Sequence, residues 1–218
     1  MTEKICFQTE ANHQNPDIIL VHGAGAGLDS DFLVAAREGF EARGVTVTGV
    51  EFNYMAQSRV SGKRRPPPPV DRLVEELGEA VRAMEKPVVI VGKSMGGRVA
   101  SMLALPGLAP ANLSGVIVLG YPFHPPGKEH TLRVEHFDRI SVPLMILQGS
   151  RDPFGKQAEI SALFGERHWS DEIELLWLDS GDHDFQPTKR SGKTRELLLD
   201  EALDAAVKWL QHRWLSSV

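Results

Sequence analysis

Ser94 lies in Gly92-Lys93-Ser94-Met95-Gly96, between the apolar run Val88-Val89-Ile90-Val91 and a helix-compatible segment. A serine hydroxyl is a poor nucleophile unless the backbone holds it exposed beside a base. A sharp strand-to-helix turn does this, and glycines two residues to either side leave room for it. A helix starting just after Ser94 would also aim its free N–H groups at charge developing there. The chemistry implied is nucleophilic catalysis, which needs a general base, an acid to orient that base, and donors for an oxyanion.

The base and acid must reach Ser94 from the same carboxyl edge of a sheet. They are therefore expected just after later strands, in the chain order serine, acid, histidine. After the apolar run at residues 144–147 comes Gly149-Ser150-Arg151-Asp152-Pro153-Phe154-Gly155, and after residues 173–178 comes Gly181-Asp182-His183-Asp184-Phe185. Asp152 is the expected acid and His183 the expected base. Each has a rival reading. Asp152 could instead cap a helix beginning near Gly155. Asp182 and Asp184 compete for the acid role, but as immediate neighbours of His183 they are badly placed for its far ring nitrogen. His22 precedes the serine strand, and a loop-supporting hydrogen bond is its expected role. His124, His130 and His136 are expected on a solvated surface, with contact to substrate as the alternative. Lys93 is expected to turn to solvent, the alternative being that its charge favours an anionic substrate. No histidine or cysteine pair has zinc-ligand spacing, so neither a metal nor another cofactor is expected.

The elements that must hold these residues are legible as alternating strands and helices. Apolar runs at residues 18–21, 45–50, 88–91, 116–119, 144–147 and 173–178 read as six strands. Between them, Phe32, Leu33, Ala36 and Phe40 share one helical face, with Asp29 or Ser30 as its cap and Gly44 as its stop; Leu73, Val74, Leu77, Val81 and Met84 share another. A long helix over about residues 194–214 closes the chain. This alternation is the signature of an α/β domain on a mostly parallel sheet with helices on both faces.

Composition sets the bounds. The 218 residues suit one domain over 1–218, and 42% hydrophobic with 24% charged residues is ordinary for a soluble protein. A formal charge of −5 argues against nucleic-acid binding. The single cysteine, Cys6, makes no internal disulfide and is read as a small residue of an N-terminal strand. With no signal-peptide core and no membrane-length apolar run, the expected location is the cytoplasm, away from membranes. Lys63-Arg64-Arg65 and the four prolines after it read as a solvated loop; a phosphate, an acidic partner or a proline-reading module are the alternatives.

On His22-Gly23-Ala24-Gly25-Ala26-Gly27, the Ser94 turn and the Asp152 and His183 loops, the chain resembles the α/β-hydrolase superfamily from about Asp17 onward. More narrowly, it resembles a small lid-poor group that includes bacterial hydrolase-like proteins, a testis-expressed protein and a subunit of a histone-acetyltransferase complex. The resemblance implies Ser94 as nucleophile, Asp152 as orienting acid and His183 as base. It also implies an oxyanion hole from the backbone N–H groups of Met95 and Ala24, with Gly25 as second choice for the latter. Only a short insertion, residues 122–139, stands where larger members carry a helical cap. The expected function is a serine hydrolase of small soluble esters, thioesters or amides, acting through an acyl-enzyme on a small-molecule acyl substrate. A protein partner is not derivable from the sequence. Two rival functions remain. One is a non-catalytic interaction scaffold on this fold. The other is a dinucleotide-binding domain, although Gly23, Gly25 and Gly27 miss the Gly-x-Gly-x-x-Gly spacing.

Overall fold

The computed structural model describes residues 17–167 and 169–215, so the strand expected around Cys6 lies outside the described residues. In chain order the elements are β1 (Asp17–Val21), α1 (Asp31–Ala42), β2 (Val47–Val50), α2 (Asn53–Ser61) and α3 (Val70–Arg82), followed by β3 (Val88–Lys93), α4 (Met95–Leu103) and β4 (Leu113–Leu119). Then come β5 (Leu144–Gly149), α5 (Gln157–Glu166), β6 (Ile173–Leu178) and α6 (Arg195–Leu215). The strands form one sheet in the order β2-β1-β3-β4-β5-β6, every neighbouring pair parallel.

Alternation along the strands divides the core between the two faces of the sheet. Ile18 and Leu20 of β1, Val89 and Val91 of β3, and Ile117 and Leu119 of β4 pack with Phe32, Leu33, Ala36 and Phe40 of α1 and Leu198, Ala202 and Leu203 of α6. Their neighbours Ile19, Val21, Val88, Ile90, Val116 and Val118 pack instead with Leu73, Leu77 and Val81 of α3, and with Val99, Ala100 and Leu103 of α4. Both faces are covered, which is why the central strands are unbroken apolar runs rather than alternating ones. This is the expected doubly covered parallel sheet.

β1 has β2 on one side and β3 on the other, so the chain moves outward and then crosses back. Such a reversal opens a crevice at the carboxyl ends of the strands. The loops carrying Ala24, Ser94, Asp152 and His183 follow β1, β3, β5 and β6 and so share that edge. Between β4 and β5, residues 122–139 carry only a 3-10 turn at Phe137–Arg139, a minimal cap.

Candidate active site

Ser94 joins β3 to α4 with φ 52° and ψ −115°, a conformation costly for a residue with a Cβ. The strain persists because β3 before it is buried throughout and α4 after it buries Gly96, Gly97, Val99 and Ala100. A Cβ at Gly96 would sit 2.5 Å from the His22 carbonyl oxygen, so only glycine lets the elbow lie this close to β1. Ser30 occupies the cap position of α1, as expected for one of two candidates, though its side chain makes no capping hydrogen bond.

His183 Nε2 lies 2.8 Å from Ser94 Oγ, and His183 Nδ1 lies 2.7 Å from Asp152 Oδ2. The carboxylate only accepts, so the ring proton sits on Nδ1 and Nε2 faces the serine as an acceptor. Asp152 is fully buried and takes two further hydrogen bonds, from Gln148 Nε2 at 2.8 Å and from the Phe154 backbone N–H at 2.8 Å. The helix near Gly155 starts at Gln157 with Lys156 at its cap position, so Asp152 closes a local turn rather than capping that helix. Asp182 is likewise committed to its own turn, accepting from the Asp184 and Gln186 N–H groups.

Gln148 was not singled out by the sequence, where it is one polar residue at the end of an apolar strand. It is fully buried, and its Oε1 accepts from Tyr121 N at 2.6 Å while its Nε2 serves Asp152. The Phe154 ring packs on the imidazole with centroids 4.3 Å apart. Gly120, at φ 74°, closes the other side: a Cβ there would sit 3.2 Å from His183 Nδ1.

Lys93 corrects an expectation. Its side chain is 8% exposed, with Nζ donating to the His183 carbonyl at 2.7 Å and pairing with Asp184 Oδ1 at 3.2 Å. The cause is register: residues 89, 91 and 93 of β3 point to the same face, which sends Lys93 under α1, where Nζ lies 5.0 Å from the Phe32 ring centroid. Burial pushes the ammonium below its ordinary range, against the opposing pull of Asp184. Lys93 thus ties the serine strand to the histidine loop. If His183 is the base, Lys93→Met should lower kcat by about 10- to 100-fold with KM changed less than about threefold, because a base displaced by an ångström loses that much. Steady-state kinetics on a 4-nitrophenyl ester checks this.

The remaining histidines divide. His22 is buried, as loop support requires; Nδ1 donates to the Gly23 carbonyl at 2.7 Å and Nε2 accepts from Phe52 N at 3.0 Å. Burial lowers its pKa. His130 is exposed. His124 and His136, expected in solvent, are buried instead because the short insertion folds down on Phe123 and Phe137 into the core. His124 Nδ1 donates to the Pro125 carbonyl at 2.8 Å, while its Nε2 lies 2.9 Å from Glu159 Oε1 without hydrogen-bond alignment. His136 Nε2 lies 2.8 Å from Ser101 Oγ, whose own proton goes to the Arg98 carbonyl, so Nε2 is the donor.

Burial, then the charges of Arg98 and Arg139, push His136 down to about 4. An unfolded histidine titrates near 6.5, so between those values the unfolded chain binds more protons and stability must fall as pH falls. The full contribution, on the order of 3 kcal/mol, is present above about pH 6.5 and lost by about pH 4. Thermal unfolding of His136→Phe should therefore show a visibly smaller decline across that window than the parent protein.

Ser94 and His183 open into a cleft of about 450 Å3 whose walls include Ala24, Gly25, Phe32, Lys93, Phe154 and Arg195. Ala24 and Gly25 both border it, and Met95 is the first residue of α4, where a helix N–H has no partner within the helix. Among the described residues, no group of three His, Cys, Asp or Glu side chains could hold a metal ion. Nor is any helix long and apolar enough to cross a membrane.

Comparison with known proteins bears on the fold. The chain is similar to dienelactone hydrolase from Anabaena variabilis at 15% identity and a TM-score of 0.70, over 95% of this chain and 90% of that one. It is similar to an α/β serine hydrolase without lid from Xanthomonas campestris at 18% identity and a TM-score of 0.67, over 94% and 88%. A monoacylglycerol lipase from Paleococcus ferrophilus matches at 14% identity and a TM-score of 0.66, over 96% and 100%. At these identities the likeness is one of fold. The family model described as an alpha/beta hydrolase domain matches residues 14–211, and the chain therefore belongs to the alpha/beta hydrolase family.

Proposed function

We propose that this protein is a serine hydrolase that cleaves small soluble esters, thioesters or amides through an acyl-enzyme. The observation that carries the reading is His183, within hydrogen-bond reach of Ser94 Oγ on one side and of Asp152 on the other. His183 Nε2 takes the hydroxyl proton as Oγ attacks the substrate carbonyl, and Asp152 stabilises the imidazolium. The tetrahedral oxyanion is held by the N–H groups of Met95 and Ala24. Loss of one such donor costs about 3 kcal/mol of transition-state stabilisation. His183 then returns the proton to the leaving group, and water activated by the same imidazole releases the acyl group.

The minimal cap fits the small lid-poor group of the family and a cleft open to modest-sized substrates handled in the cytoplasm, by one domain over residues 1–218. The lidless serine hydrolase from Xanthomonas supports the same reading. Against a dinucleotide site, the first glycine-rich loop faces Ser94 and His183 across the cleft. Rapid mixing with 4-nitrophenyl acetate tests the acyl-enzyme: a burst of nitrophenol stoichiometric with enzyme is expected, and hydrolysis without a burst in the presence of added hydroxylamine, with no acyl transfer to it, counts against the covalent step.

A further inference from the structure

We propose that Arg195 is the specificity residue of this cleft and selects esters that carry a carboxylate. The inference rests on Ser94 being the nucleophile and adds the class of substrate. Arg195 opens α6 and borders the same cleft as Ser94 and His183. Its guanidinium carbon lies 5.4 Å from the centroid of the Phe32 ring. Phe32 is itself 6% exposed and is held by Phe185, ring centroids 5.4 Å apart, so the cation sits on a fixed platform. Among the described residues no acceptor takes a hydrogen bond from the guanidinium, so its N–H groups are available to grip a carboxylate with two parallel hydrogen bonds.

The charges around it matter. Asp184, in the same cleft, is engaged by Lys93, which lies on the same Phe32 ring. Asp31 is exposed on the first turn of α1 and forms no ion pair with Arg195. Among the described residues, no carboxylate lies within 4 Å of the Arg195 guanidinium, whose charge acts on Asp184 and Glu196 only from further away, so Arg195 is the cation of the cleft with its hydrogen-bonding groups left for substrate. Asp31 opposes an incoming anion, so the selectivity is moderate, about tenfold. The cleft, of about 450 Å3, has room for an acyl group that carries a carboxylate.

Two ester pairs test the idea and say which end carries the anion: monophenyl succinate against phenyl butyrate, and 4-carboxyphenyl acetate against phenyl acetate. The anionic member of one pair should have a kcat/KM about tenfold higher, and this ratio should fall to about one in Arg195→Gln and recover in part in Arg195→Lys. No preference within either pair, or a preference that survives Arg195→Gln, overturns the proposal. If Ser94 reacts with a fluorophosphonate but none of the four esters turns over, glutarate decides: it should slow labelling of the parent protein and not of Arg195→Gln, and equal rates overturn the proposal. A folded protein that takes no label refutes the hydrolase reading itself, and this inference with it.

Discussion

Ser94→Ala is expected to lower kcat on a 4-nitrophenyl ester by about a hundred-thousandfold or more, the loss that follows if Ser94 is the nucleophile of a Ser-His-Asp site. The fold should survive the change. Ser94 donates no capping bond to α4, and what disappears is one hydrogen bond to His183, worth about 1 kcal/mol. In a chain of this size that moves the unfolding midpoint by only about 2–4 °C. The residual rate should come from the backbone donors and from substrate positioning. Turnover within tenfold of the parent protein would falsify Ser94 as nucleophile.

Asp152→Asn is expected to cost about a thousand- to ten-thousandfold in kcat, less than loss of the serine. The reason is the proton inventory of the site. Asp152 receives three donors, from His183 Nδ1, Gln148 Nε2 and Phe154 N, and offers none. An asparagine amide turned toward His183 donates to Nδ1, which moves the ring proton to Nε2 and points it at Ser94. The imidazole then cannot accept the hydroxyl proton. Turned the other way, the amide meets the Phe154 N–H donor to donor. Either arrangement disfavours the productive tautomer. Rates measured beside Ser94→Ala check the ranking, and a Asp152→Asn variant as active as the parent would move the acid to another residue.

The central strands were legible because they carry continuous apolar runs, as in Val88–Val91, and burial on both faces demands that pattern. The three side chains expected to act together lie together, since strand order in a parallel sheet carries the loops after β3, β5 and β6 to one edge. Helix α2 escaped notice because it buries little beyond Tyr54 and Ala56 and has no apolar stripe. Lys93 was placed in solvent and Gln148 was passed over for a different reason. A polar residue at the end of a strand reads as solvent-facing, and only the tertiary arrangement shows the partner that justifies burying it. For Lys93 that partner is the His183 carbonyl; for Gln148 it is Asp152 together with the Tyr121 backbone. His124 and His136 follow the same logic, carried inward by aromatic neighbours whose spacing resembles a loop.

Fluorophosphonate labelling of the folded protein, read by mass spectrometry of its peptides, bears most directly on the assignment of Ser94. One adduct per chain on Ser94 is expected, formed rapidly in the parent protein and at least about a thousandfold more slowly in His183→Ala, where no base takes the hydroxyl proton. An unlabelled Ser94 in folded protein, or labelling equally fast without His183, would contradict it.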